Sequence, residues 1–429
     1  VFRPLRSHTG IKHASNKPPL ILLAALTALA FGALHMLLPA LPLVMQTFNE
    51  DLIEVQLGVT LFFAGIAAGQ LVYGPLSDSF GRRPALIAGL ALFLVGTLLS
   101  GAAWSMSVLT VGRLLEALGA CAGLVLGRAI LADVYDRDAA ARGVAIILMV
   151  MTIVPGVAPT LGACLAEWLD WRAIFAVLGV FGALLLVFTV LLLPETNASP
   201  KPFAMIGMMR SYRTLLRSRE YLAFTLSGTC RSTAWFTFAA SVPLVLSDLL
   251  HQPPTTYGLM ILLPVSSYVL GTGLAARLAT RVGSFRLVLC GRSVALAAAL
   301  GMVGWWWFGG LGLLMLFLPM AIVSFADGLS HPAIMASAIN VYPELTGTAS
   351  GLLGFLQMGG PAVGTIIVAA LPFDGAFGLV VVVCGLIVMS FGFGVLGVRL
   401  AAAREQTGPG GDDAAPSAAA LPQLQKDTA

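Results

Sequence analysis

Stretches of 22 residues or more without a single charge recur along this sequence, among them Pro84–Gly112, Gly143–Ala166, Ala173–Pro194, Gln252–Ala276, Ser293–Ala326 and Leu345–Phe373. About 20 consecutive apolar residues cross the hydrocarbon of a bilayer as a helix, and runs this long are read as membrane spans. They are continuously apolar, whereas a barrel strand alternates apolar and polar residues over about ten positions, so helices are the expected element. Only 10% of the residues are charged and the mean hydropathy is +0.92, against about 25% charged in a typical soluble domain. A secreted enzyme, a nucleic-acid binder and a disordered regulator are excluded on these grounds, because the basic residues needed for a phosphate footprint are few and scattered.

Dividing the long runs at turn signals predicts an all-α membrane protein of twelve transmembrane helices. They lie near 20–45, 55–75, 84–104, 108–131, 143–166, 173–194, 221–249, 257–277, 285–307, 311–334, 347–371 and 376–400. Positive charge stays on the cytoplasmic side of a membrane. With the amino terminus inside, nineteen of the 24 Lys and Arg residues fall in inner segments, while Glu50, Asp51, Glu54, Glu167 and Asp170 collect outside. Both termini are therefore expected in the cytoplasm, and the location is the cell inner membrane. The first span is too long for a removable signal peptide and is expected to stay in the fold. Five cysteines fall inside spans without close pairing and read as packing residues rather than disulfides or metal ligands.

The expected organisation is a cytoplasmic segment at 1–19, a six-helix half at 20–194, a cytoplasmic linker at 195–220, a second six-helix half at 221–400 and a disordered tail at 401–429. The linker is basic on one side and apolar on the other, the pattern of a helix lying on the membrane surface. Two landmarks recur at nearly one spacing. The proline-glycine strings around Pro159 and Pro361 lie 202 positions apart, and the loops beginning at Gly74 and Gly273 lie 199 apart. Two pseudo-symmetric halves follow, an arrangement that places a substrate site between them and lets them rock. No lysine sits in a glycine-rich phosphate loop. No nucleotide, nucleic acid, cofactor or metal is expected; the partners are a small-molecule substrate, protons and the lipid bilayer, with a monomer as the transporting unit.

Three strings carry the chemistry. GPLSDSFGRRP at Gly74–Pro84 holds Gly74, Asp78, Gly81, Arg82 and Arg83; RLLEALGACAG at Arg113–Gly123 opens on Arg113 and Glu116; VPGVAPTLGA at Val154–Ala163 holds Pro155, Gly156, Pro159 and Gly162. These strings resemble the signature loop, the second motif and the exporter motif of the major facilitator superfamily. With GRAILADVY at Gly127–Tyr135, they are similar to its Bcr/CflA-type drug-resistance branch of drug:proton antiporters. The resemblance spans Leu20 to Leu400 and implies proton-driven efflux of small amphipathic drugs or toxic compounds by a secondary transporter that is not an enzyme. A metabolite, peptide or sugar carrier on the same scaffold is the alternative, and a membrane-embedded transferase or a sensor is weaker.

Physical chemistry assigns roles to these residues. Asp78 can pair with basic residues or a helix terminus across its loop, latching one conformation; Arg82 and Arg83 can also act by enforcing topology alone. Pro155 and Pro159 remove backbone donors while Gly156 and Gly162 admit a neighbouring helix. Arg113 and Glu116, three apart, share a helix face. The family pattern commonly has glutamine at the second position, and an acidic residue where LHMLLPALP carries His35; both residues are departures. Each lies about 22 Å above the inner end of its span, which suggests a His35–Glu116–Arg113 proton-coupling cluster, with a static buried pair as the bland reading. In the second half Arg231 and Asp327 are expected to pair, with His331 one turn from Asp327. Phe62, Trp235, Phe238 and Gln357 are candidates for the lining of an apolar cavity.

Overall fold

The structure, a computed structural model, describes residues 17–197, 205–371 and 375–407. Among these residues every regular element is a helix: α1 (Leu20–His35), α2 (Leu41–Phe48), α3 (Leu52–Phe80), α4 (Arg82–Gly101), α5 (Met106–Val134), α6 (Arg137–Trp168), α7 (Arg172–Leu192), α8 (Met205–Arg217), α9 (Arg219–Asp248), α10 (Pro254–Met260), α11 (Leu262–Val282), α12 (Ser284–Gly309), α13 (Leu313–Asn340), α14 (Thr346–Ala370) and α15 (Gly375–Thr407). Eleven helical segments are long and apolar enough to cross a membrane, α1 and α2 counting as one and α10 and α11 as another. The expected seventh span, α9, is 30 residues long but falls short in apolarity. Arg231 and buried Thr225, Ser227, Thr229, Ser232, Thr233, Thr237 and Ser241 run along it.

Proline positions explain where two expected spans break. A proline has no N–H to donate, and its ring collides with the carbonyl four residues earlier. Pro39 lies four residues after His35, where α1 stops, and a short 3-10 turn at Leu38–Ala40 leads into α2. Pro264 lies four residues after Met260, where α10 stops. Within the linker region Met205–Arg217 forms α8, and residues 198–204 lie outside the described ones. Helix α15 continues to Thr407, past the boundary expected at 400; the alanines at 401–403 are good helix formers. The remainder of the tail and residues 1–16 lie outside the described residues.

Helices α1–α7 pack mainly among themselves, as do α9–α15, and the two groups meet chiefly along α3 with α14 and α6 with α10. Polar contacts mark the seam: Thr60 Oγ1 lies 2.8 Å from Thr365 Oγ1, Gln70 Nε2 donates to the Gly354 carbonyl at 3.2 Å, and Thr160 Oγ1 donates to the Gly258 carbonyl at 2.7 Å. At the end bearing the Asn49 turn, a space of about 40 Å³ lies between Pro39, Pro42, Pro243 and Tyr257. At the other end, a cavity of about 790 Å³ opens among the starts of α9 and α12 and the ends of α13 and α15.

The proline-glycine string of α6 does its work by close approach. Helix α6 runs unbroken through Pro155 and Pro159, and Gly162 lies under the break in α1, where a Cβ would stand 1.9 Å from the Met36 carbonyl oxygen. Gly162→Leu is expected to force the two helices apart, at a cost of about 3 kcal/mol or more, and to lower the melting temperature of detergent-solubilised protein. An unchanged melting temperature would show that this contact does not hold α1 to α6.

Candidate functional site

Helix α5 carries the first charged cluster. Its start is defined by Ser105, whose side chain accepts the backbone N–H of Val108, and Arg113 and Glu116 face inward two turns later. Arg113 Nη1 bonds Glu116 Oε2 at 2.7 Å, and Glu116 is fully buried with Arg113 4% exposed. Three neighbours complete the pair. Arg113 Nη2 donates to the Ala33 carbonyl of α1 at 2.9 Å, Thr97 Oγ1 of α4 lies 3.3 Å from Glu116 Oε1, and the guanidinium sits 3.9 Å above the Phe62 ring. Each charge therefore has a partner of opposite sign and polar or aromatic support, which burial demands.

His35 does not join this pair. Its Nδ1 lies 2.9 Å from the Phe31 carbonyl, an acceptor, so Nδ1 donates there. Its Nε2 is buried without a partner. The ring lies between Phe31 and Phe236, with centroids 6.1 and 5.9 Å away. Because Phe236 belongs to α9 and also packs on Phe63, His35 sits on the seam between the two helix groups. It is the last residue of α1.

The signature loop is tied by two carboxylates that sequence reasoning did not single out. Arg82 bonds Asp78 at 2.6 Å and Asp133, near the end of α5, at 3.0 Å. Glu195, beyond α7, accepts the backbone N–H groups of Arg82 at 2.8 Å and Arg83 at 3.1 Å, capping the first turn of α4. Gly81 has φ of 99°, and a Cβ there would lie 2.6 Å from Glu195 Oε2, so both the turn and the cap require glycine. Asn197 donates to the Asp78 carbonyl at 2.8 Å, and Arg83 Nη2 to the Val190 carbonyl at 2.8 Å. All of these bonds stay within the first helix group. Gly74 has open space around it.

In the second group, Arg231 of α9 and Asp327 of α13 pair as expected, at 2.8 Å. A third member was missed: Arg292 of α12 lies 3.2 Å from the other oxygen of Asp327 and is 2% exposed. The available signal was its isolation as a single arginine inside an otherwise apolar span, the same signal that identified Arg231. His331 lies one turn beyond Asp327, its Nδ1 buried without a partner.

The aromatic candidates divide. Trp235 and Gln357 are partly exposed, and Gln357 packs beside Gly228 at the α9–α14 contact. Phe62 is buried under Arg113, so it supports the ion pair. Phe238 was expected to line the cavity but is buried against Phe317 of α13, centroids 5.7 Å apart. Among the described residues no group of three or more His, Cys, Asp or Glu side chains could hold a metal ion, and the five cysteines are free.

Comparison with known proteins adds an independent line. The sequence model of the Major Facilitator Superfamily matches residues 23–365. Multidrug resistance protein D of Escherichia coli K12 is 28% identical over 388 residues, covering 88% of this chain and 96% of that protein. A bicyclomycin resistance protein homolog of Haemophilus influenzae is 27% identical, covering 83% and 90%. Among solved structures, an inward-facing bacterial homolog of the human lysosomal transporter Spinster superposes with a TM-score of 0.71 at 17% identity, covering 89% of this chain and 96% of its own.

Two outcomes follow from the geometry. Arg113→Met leaves a buried carboxylate alone and is expected to cost about 3–5 kcal/mol, whereas Arg113→Met with Glu116→Leu removes both charges and recovers most of that loss. Melting of the purified variants checks this, and equal losses in the single and double variants would contradict it. Glu195→Ala removes the cap on α4 and is expected to cost about 1 kcal/mol. Faster proteolysis or hydrogen exchange in the Gly81 turn is its local signature.

Proposed function

This chain belongs to the Major Facilitator Superfamily, and we propose that it is a proton-driven antiporter that exports small amphipathic drugs or toxic compounds across the cell inner membrane. It is a membrane transporter and not an enzyme. The finer reading has twelve spans, α9 being the twelfth by its 30-residue length, with both termini cytoplasmic and a monomer as the working unit. The bias of basic residues toward one set of loops supports that orientation, and the names of the relatives from Escherichia coli and Haemophilus influenzae support drugs as the substrate class.

The observation that carries the coupling is the Arg113–Glu116 pair, sealed within α5 and touching α1 through the Ala33 carbonyl. Protonation of Glu116 cancels its charge and frees Arg113 to exchange partners. That change in local electrostatics biases how α5 sits against α1. His35, with an unpartnered Nε2 on the seam, can take a proton where the two groups of helices touch. Asp78, Arg82 and Asp133 bind α3, α4 and α5 into one unit at the Gly81 end, so that those helices move together while the seam along α3 and α14 opens. The close contact at Gly162 keeps α6 against the break after α1 during that motion, while Gly156 faces Val265 of α11.

The test is a drug-susceptibility panel in a host lacking its own pumps, paired with substrate-evoked proton flux in vesicles. Resistance to at least some compounds and proton movement on their addition are expected. Glu116→Gln combined with His35→Ala is expected to abolish uphill transport, by a hundredfold or so if the pair supplies proton exchange comparable with a positioned general base. Full gradient-driven transport in that double variant would remove the coupling role. Resistance to nothing, without proton movement, would favour a metabolite carrier.

A further inference from the structure

The two helix groups differ in their charge balance. In the first, Arg113 and Glu116 balance one to one. In the second, Asp327 is shared: Arg231 Nη2 approaches one oxygen at 2.8 Å and Arg292 Nη1 the other at 3.2 Å. No other carboxylate is available at that depth. Between Tyr221 and Ser247, α9 carries no acidic residue; α10, α11, α12 and α14 carry none at all; and Asp327 is the only one on α13. Helix α15 has its single acidic residue at its last turn, beyond Arg404. A full positive charge is therefore left over inside the apolar bundle.

The surplus is visible atom by atom. Arg292 has Nε and Nη2 buried without hydrogen-bond partners, although its Nη1 is paired. An unbalanced guanidinium in a low-dielectric interior is unfavourable by several kcal/mol, so such groups are found paired or facing a functional cavity. Arg231 supplies the access: its side chain is 13% exposed, and its guanidinium lies 5.7 Å from the ring of Tyr268, which is also partly exposed on α11. The side chain that can be reached is thus flanked by an aromatic face, and the buried side chain behind it supplies charge through the shared carboxylate.

We propose that Arg231, backed by Arg292 across Asp327, is a binding site for the anionic group of the substrate, so that the transported class includes amphipathic carboxylates and zwitterions as well as neutral compounds. The inference rests on the transporter reading above and narrows its substrate class. The carboxylate of a bound compound takes the planar fork of Arg231 as a second acceptor beside Asp327, while its apolar body lies against Tyr268. Binding brings the net charge of the cluster to zero. Arg292 acts as a positioning residue: it holds the far oxygen of Asp327 and keeps that carboxylate from satisfying Arg231 completely.

The test uses the full chain purified in detergent and isothermal titration with three matched pairs of probes: naphthylacetate, indolylacetate and biphenylacetate, each against its primary amide. Within a pair only the charge changes. At neutral pH the carboxylates are expected to bind about tenfold or more tightly than the amides, as a charge-assisted hydrogen bond to arginine implies. Arg231→Gln and Arg292→Met, each monodisperse on size exclusion, are expected to erase that preference, so that acid and amide bind equally in each variant. Where neither variant folds, Arg231→Lys serves, because it keeps the charge but loses the fork; a several-fold loss for the carboxylates alone is then expected. Equal affinity for acid and amide in the native chain, no binding by any carboxylate, or a preference that survives these substitutions overturns the proposal. No proton gradient is present in this measurement. Failure of drug export in cells therefore leaves the carboxylate preference readable, and loss of the preference leaves export unaffected as a reading.

Discussion

An ionised side chain inside a bilayer is tolerated only when a partner is held against it, and that requirement organises the charged residues of this protein into two buried clusters and one loop latch. Arg113 and Glu116 are three residues apart on one helix, so a single turn of α5 brings them together and the pair forms wherever α5 forms. Asp327 is different. Its partners come from α9 and α12, so the cluster exists only once three helices have packed. Both clusters lie on the fourth long helix of their group, α5 and α13, which places charge at matching positions on either side of the seam.

Close helix approach is the second condition. Helices in lipid gain no hydrophobic free energy from meeting one another, so small residues at the crossings determine which pairs pack tightly. Gly162 under Met36 ties α6 to the break in α1, and the Gly81 turn brings α4 against the Glu195 carboxylate. The ion pairs depend on this packing: a helix displaced by the width of a methyl group would pull Thr97 from Glu116 or Arg292 from Asp327. Function depends on the reverse property, that the α3–α14 seam is held by scattered polar contacts such as Thr60 with Thr365. A few weak bonds can be exchanged between states, which a fully interdigitated interface would resist.

Much of the fold was legible before any coordinates. Charge-free runs mark the spans, and the i, i+3 spacing of Arg113 and Glu116 foretells their bond. The Arg231–Asp327 pair was reached from depth alone, because two isolated charges at similar height in one half have few other partners. Three things were not legible. Phe238 faces Phe317 because of how α9 is rotated against α13, and rotation of a helix that is apolar or hydroxylated on all sides leaves no periodic trace. His35 stands apart from Glu116, its ring lying between Phe31 and Phe236. Glu195 and Asp133 reach the signature loop across gaps of more than fifty residues, and spacing carries no information about such contacts.

Composition and pattern alone determined that the chain is an all-helical membrane protein, with the residues that must find partners in the apolar interior. Those outcomes are local: they follow from hydrogen bonding along a segment and from the cost of charge in hydrocarbon. Which partners were found was decided by the tertiary structure. Arg292 joins Asp327, leaving one positive charge without a counter-ion, and His35 turns toward Phe236. Both results depend on the azimuth of one helix against another, a quantity set by the summed packing of whole faces and by no single residue.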